Sequence, residues 1–465
     1  MKLLAGKMGT STRTALRSLA FGMLATLALA ASATAGPLAM QRRVLSNGVQ
    51  LLVSEQHALP MVVVQIMLDA GARRDPKGKE GLAGLTADLL TEGTKTRNAS
   101  QISEATDFIG ASLGTGADMD FATLGITMLT KDLDTGLDLL SDVLLHPSFP
   151  ETEVTRRREA TLAGLQEEED EPGRVANRRF LTLLFGDEPY GHPVAGSTAS
   201  VAKLTRTDVL KFYQDNYGAE NAIISVAGDV TADDMASRFE KTLAGWKAGS
   251  RGAFVYPPEH THPSETTAIA KPLTQANIVL GERGIARNNP DYYAVTVMNF
   301  ILGGGGFTSR LINSVRVEGG LAYSVASVYS VNKAPGSFQV IMQTKNASTA
   351  EAIQRTCAEL DRIRTSPVSD EEIEGAKLYL TGSFPMRLDT NAKIAGFMAQ
   401  VELFQLGDDY AATYASRINA ITKEDVQRVA QKYLHPDNLD LVVVGNLNEA
   451  KAPAGPPCAK PAPAP

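Results

Sequence analysis

The chain has 465 residues, with 45 Lys and Arg against 52 Asp and Glu for a net charge of −7, and it is 43% hydrophobic and 21% charged. These are globular proportions, enough for two to four domains, and they exclude collagen-like, coiled-coil and multispan membrane classes. The acidic balance argues against a nucleic-acid binder held by a basic surface, and two cysteines, Cys357 and Cys458, cannot build a disulfide scaffold or a Cys-rich zinc module.

In chain order, the N-terminus carries Lys2, Lys7, Arg13 and Arg17, then an apolar run from Leu19 to Ala31, then Ala33-Thr34-Ala35. That is the order of a secretory signal peptide over residues 1–35, and the run is too short to span a bilayer. The expectation is an exported, periplasmic protein with no stable membrane insertion once the signal is removed. Val62–Leu68, Ala276–Leu280 and Val325–Val331 read as strands, whereas Ser103–Ile109, Arg156–Glu167 and Tyr292–Leu302 read as helices. The stretch 248–272 holds four prolines and little periodicity and reads as a linker. Residues 449–465 read as a disordered Pro/Ala tail, and with Cys458 inside it no bridge to Cys357 is expected.

The chain repeats itself. Thr205 and Thr422, Asp208 and Asp425, Asn221 and Asn438, and Gly228 and Gly445 are each 217 residues apart without a gap, as are Phe121 and Phe338. Each Thr–Asp pair has capping-box spacing and opens an amphipathic helix that leads to a β-rich run. Helices then fall in pairs between strands, which predicts an α+β fold of two homologous duplicated domains, 36–247 and 273–448.

Two segments identify a family resemblance. Gly81-Leu-Ala-Gly84-Leu-Thr-Ala87-Asp88-Leu-Leu-Thr-Glu-Gly93-Thr94 resembles the zinc-site helix of the pitrilysin-like metallopeptidases, which include the mitochondrial processing peptidases. Ile301-Leu-Gly-Gly-Gly-Gly306, Ser309-Arg310-Leu311, Arg316 and Gly320-Leu-Ala-Tyr323-Ser-Val resemble their second hallmark segment. The resemblance runs from about residue 41 to 447. It implies bowl-like halves, each a mainly antiparallel sheet packed with helices, that together enclose a chamber.

The family's chemistry uses His-x-x-Glu-His on one helix, where i and i+4 share a face, with a third ligand on a later helix. The matching positions here are Gly84, Ala87, Asp88 and Gly164, so no metal site and no cofactor are expected in this chain. Of the histidines, His260 and His262 form a metal-like pair in the linker, but no third partner is visible at ligand spacing.

In the second half, Arg316 and Tyr323 match the Arg/Tyr pair with which the resembled enzymes assist catalysis at a zinc facing them across the chamber. A Tyr hydroxyl can donate to an oxyanion, and a guanidinium fork can hold carbonyls or carboxylates. Gly303, Gly304, Gly305 and Gly306 read either as a flexible turn or as a substrate contact; no Gly-Lys-Ser/Thr follows, so they are not a phosphate loop. The resemblance therefore implies a non-catalytic subunit of a heterodimeric, zinc-dependent peptidase. Arg316 and Tyr323 would assist a homologous, zinc-bearing partner on a peptide or unfolded-protein substrate. The alternative is a non-enzymatic peptide-binding or assembly protein derived from the same fold.

Overall fold

The computed structural model describes residues 38–249 and 252–459. The signal-peptide reading of 1–35 lies outside the described residues. The first half begins with β1 (Gln41–Val44), β2 (Gln50–Glu55) and β3 (Met61–Leu68) and then helices α1 (Leu82–Leu89) and α2 (Ala99–Phe108). It continues with β4 (Ser112–Ala117), β5 (Ala122–Leu129), α3 (Leu133–Leu145), α4 (Glu151–Glu168) and α5 (Pro172–Phe185). It closes with α6 (Thr198–Val201), α7 (Arg206–Asn216), β6 (Ala222–Gly228) and α8 (Ala232–Thr242).

The second half repeats the plan. β7 (Thr266–Ala270), β8 (Gln275–Arg283) and α9 (Tyr292–Asn299) precede β9 (Ala322–Ser330) and β10 (Ser337–Lys345). There follow α10 (Thr349–Thr365), α11 (Asp370–Gly382), α12 (Asn391–Leu403), α13 (Tyr410–Asn419), α14 (Lys423–Tyr433) and β11 (Asp440–Gly445).

The sheet orders establish the duplication. The first sheet runs β1-β2-β6-β3-β5-β4 and the second β7-β11-β8-β10-β9. Without the extra edge strand β1, the two orders correspond strand for strand. Each sheet is antiparallel except for one parallel pair at the same place, β2 with β6 and β7 with β11. The repeated Thr–Asp wording becomes two real capping boxes. Thr205 and Thr422 accept from the amides of Asp208 and Asp425, whose carboxylates answer the Thr amides.

Helix α5 lies on the second sheet, where Phe180 and Phe185 pack with Val279, Val442 and Val444. Its counterpart α12 lies on the first sheet, where Ala399 and Leu403 pack with Met67. Each half thus covers the outer face of the other half's sheet with its own helix. This explains why β3 and β11 are β-branched runs buried almost throughout, with no polar face. A polar knot seals the same junction. Asp120, nearly fully buried, accepts from the Lys333 amide at 2.8 Å and from the Tyr190 hydroxyl at 2.8 Å.

Two expectations are corrected here. The supposed linker supplies β7, which pairs along its length with β11, so the second sheet starts inside the stretch 248–272. The Pro/Ala tail is tied down through Ala459: Cys458 forms a disulfide with Cys357 on α10, with Cα atoms 5.3 Å apart, and Ala450 is buried in the second core. The Thr266 hydroxyl also donates to the Gly455 carbonyl at 3.0 Å. Composition pointed to disorder, and a covalent tertiary contact overrides it.

Candidate functional site

The segment between α9 and β9 carries the second hallmark. The helix read from Tyr292 to Leu302 is α-helical only to Asn299, and from Phe300 to Gly304 the turns widen to the π type. A second π stretch spans Ile312–Glu318 and holds Arg316. Such widened turns concentrate at functional sites. Gly303 is buried against β9, where a Cβ would come within 2.5 Å of the Ser327 amide nitrogen. Gly306 has φ +59, the left-handed region that glycine adopts without strain. The loop re-enters the fold at Ser309, whose hydroxyl donates to the Gly306 carbonyl at 2.7 Å. Arg310 then forks onto Glu372 of α11 at 2.6 and 2.8 Å. Burial alone would raise the Glu372 carboxyl, but the Arg310 hydrogen bonds and the Ser369 amide hold it down to about 2.

Arg316 and Tyr323 come together. The Arg316 guanidinium carbon lies 5.4 Å from the centroid of the Tyr323 ring and 5.2 Å from that of Phe307. Tyr323 is 75% exposed and Phe307 74%. Among the described residues, neither the guanidinium nor the phenol hydroxyl has a hydrogen-bond or ion-pair partner. A surface ion pair for Arg316 and a core position for Tyr323, the plain structural uses of these side chains, are therefore not what the fold makes of them. Strand β9 is one of the two edges of the second sheet, β7 being the other. Opposite Gln343 and Thr344 the register skips Tyr323, pairing Ser324 and Ala322 instead, so Tyr323 is the extra residue of a β-bulge. Bulges re-aim a side chain, and here Tyr323 and Ser324 both face solvent.

The first-half positions read differently. Gly81, with φ +100, precedes helix α1 as its N-cap residue and has no side chain to cap it. Asp75 instead reaches across to accept from the amides of Gly81 and Ala83 at 2.8 and 2.7 Å, and burial pushes its carboxyl up to about 8. A Cβ on Gly84 would lie 3.1 Å from the Val194 carbonyl oxygen, and Ala87 is fully buried. Asp88 is half-buried, and burial raises its carboxyl against the pull of Arg157. The nearby acid Glu92 is already taken by Arg156 at 2.6 Å and Arg157 at 2.5 Å. Gly164, on the adjoining α4, looks onto open space. One carboxylate beside an arginine does not make a zinc donor set, which needs about three ligands, so no step is assigned to a metal here. Elsewhere, His262 points its Nε2 at the buried Asp440 carboxylate, 2.9 Å away, so it ties the stretch before β7 to the start of β11. Among the described residues no group of three or more His, Cys, Asp or Glu is placed to hold an ion.

With this geometry in place, two family models match. One described as "Insulinase (Peptidase family M16)" covers residues 51–198, and one described as "Peptidase M16 inactive domain" covers residues 203–380. The chain belongs to peptidase family M16. Gly84, Ala87, Asp88 and Gly164 fall in the first match, whereas the glycine run, Arg316 and Tyr323 fall in the second. Among curated relatives, uncharacterised zinc proteases of Bacillus subtilis and Streptomyces coelicolor are 25% and 27% identical to this chain. The alignments cover 86% and 89% of the chain and 96% and 91% of those proteins. A solved peptidase M16 inactive domain from Pseudomonas fluorescens superposes with TM-score 0.83 at 28% identity, over 88% of this chain and 98% of that one. A Helicobacter pylori protease superposes with TM-score 0.80 at 20% identity, over 87% and 99% of the two chains, and shares the fold.

The bulge at Tyr323 and the ring of Phe307 beside Arg316 are the site features that sequence reasoning missed. An aromatic directly after four glycines was the one available signal for Phe307.

Proposed function

We propose that this M16 chain is the non-catalytic subunit of an exported, heterodimeric zinc peptidase, and that it lends Arg316 and Tyr323 to a homologous partner that carries the zinc. The observation that carries the reading is the Arg316–Tyr323 pair itself: the two side chains are adjacent, Tyr323 is exposed and Arg316 half-buried, and neither has a hydrogen-bond or ion-pair partner among the described residues. The first-half positions that resemble the zinc site hold Gly84, Ala87, Asp88 and Gly164.

In this reading an extended peptide pairs along the free edge of β9, where main-chain hydrogen bonds give affinity without sequence demands. The Tyr323 hydroxyl donates to the carbonyl oxygen as negative charge develops on it, a contribution of about 3–4 kcal/mol per donor in measured cases. The Arg316 fork holds a neighbouring carbonyl or carboxylate and fixes the peptide's register. Activation of water belongs to the partner. The Cys357–Cys458 bridge supports the exported location, because such bridges persist in oxidising compartments.

The test is reconstitution. Each of two chains is purified, this one and a homologue from the same genome with His-x-x-Glu-His intact, and cleavage of unfolded casein is measured for each alone and for the mixture. Activity that appears only on mixing, with co-elution of the two chains, is the expected result. A homologue fully active alone and unaffected by this chain would overturn the reading and leave a peptide-binding protein built on a peptidase fold.

A further inference from the structure

The geometry points to Phe307 as the positioning residue of the Arg316–Tyr323 site, delivered there by the glycine run. This inference rests on the reading of Arg316 and Tyr323 given above. An arginine side chain carries several rotatable bonds, and one such as half-buried Arg316 without polar partners can sample many rotamers. Arg316 has no carboxylate, carbonyl or hydroxyl partner among the described residues. The aromatic contacts that restrain its guanidinium are the rings of Tyr323 and Phe307, both within the roughly 6 Å range of cation–π attraction. If Phe307 were absent, the same guanidinium would have Tyr323 alone to lean on and would be free to leave it.

The loop is built to put that ring there. Its entry is fixed by Gly303, which has no room for a side chain beside Ser327. Its exit is fixed by buried Ser309 and by the Arg310–Glu372 fork. Between these anchors, Gly306 takes φ +59 immediately before Phe307, and the Thr308 hydroxyl closes the turn on the Gly305 carbonyl at 3.0 Å. A Cβ at position 306 would meet no neighbour within 4 Å, so the glycine there serves the backbone angle and not space. The glycine run therefore acts through Phe307, and the substrate contact expected of it passes through Arg316.

The experiment compares Phe307→Leu, Phe307→Tyr and Arg316→Ala in the reconstituted pair, with unfolded casein as substrate, and reads kcat and KM separately. Phe307 is exposed, so its variants fold. Phe307→Leu is expected to lower kcat/KM by roughly 2- to 5-fold, the size of a lost cation–π contact at an exposed ring, and Phe307→Tyr to restore it. In the chain alone, labelled with 15N-arginine, the Arg316 Nε–H resonance (identified by its loss in Arg316→Ala) should move in Phe307→Leu and stay in Phe307→Tyr. Unchanged kinetics in Phe307→Leu beside a crippled Arg316→Ala would overturn the role of Phe307 and leave that of Arg316 standing. Equal losses in Phe307→Leu and Phe307→Tyr would equally overturn it. Unchanged turnover in Arg316→Ala would overturn both readings together.

Discussion

Replacing Cys458 with Ser cuts the bond that holds the C-terminal segment to α10. The bridge closes a sequence separation of 101 residues, for which chain entropy alone would give about 4.7 kcal/mol. The realised effect should be smaller. The bridge ties a segment without helix or strand, not two core elements, and Ala450 together with the Thr266–Gly455 hydrogen bond keeps part of that segment docked without it. We expect a loss of about 2–3 kcal/mol. At about 2–4 °C per kcal/mol, the transition that includes the second half falls by about 4–12 °C. Calorimetry of the oxidised chain, the reduced chain and Cys458→Ser measures this, and thiol titration under denaturing conditions checks the bond. Reduced and oxidised chains that melt together, or two free thiols per chain in protein never exposed to reductant, would contradict this.

Other outcomes follow from the same structure. Glu372 is held down to about 2 in the folded chain against an ordinary value of 4.5. Its contribution is therefore complete above about pH 4.5 and lost as pH falls towards 2. Glu372→Gln should destabilise by about 1–3 kcal/mol at pH 7 and approach the parent below pH 3, measured by urea unfolding at both pH values. Phe180→Ala, at the fully buried centre of the helix that one half lays on the other's sheet, should cost about 3–5 kcal/mol in the same assay. The triple change Gly84→His, Ala87→Glu, Asp88→His forces bulk beside the Val194 carbonyl and a carboxylate into a buried site. It should lose about 2–4 kcal/mol and retain no zinc through dialysis against a mild chelator, by elemental analysis.

The features legible in the sequence are those that are local or repeated. Capping boxes need only four residues, so Thr205 and Thr422 announced α7 and α14, and the 217-residue offset joined them into two halves. Strand β3 and helix α4 fell where periodicity put them. What escaped depends on partners distant in the chain. A bulge is a register event between two strands, so nothing in Leu-Ala-Tyr-Ser-Val marks Tyr323 as the unpaired residue. The short Thr266–Ala270 strand is recruited by β11 out of a Pro-rich stretch. The exchange of α5 and α12 leaves the amphipathic pattern unchanged, because a helix is equally apolar on one face whichever half it covers. The pairing of Cys357 with Cys458 was hidden by the tail's composition.

The measurement that bears most directly on the account is steady-state cleavage of unfolded casein by the reconstituted pair with Tyr323→Phe in this subunit. The substitution removes one hydroxyl from an exposed ring that makes no internal hydrogen bond among the described residues, so folding and pairing should be untouched. If Tyr323 donates to the oxyanion, kcat falls roughly 10²–10³-fold, as for other oxyanion donors, with KM nearly unchanged and identical melting curves. Unchanged turnover with Tyr323→Phe would contradict it.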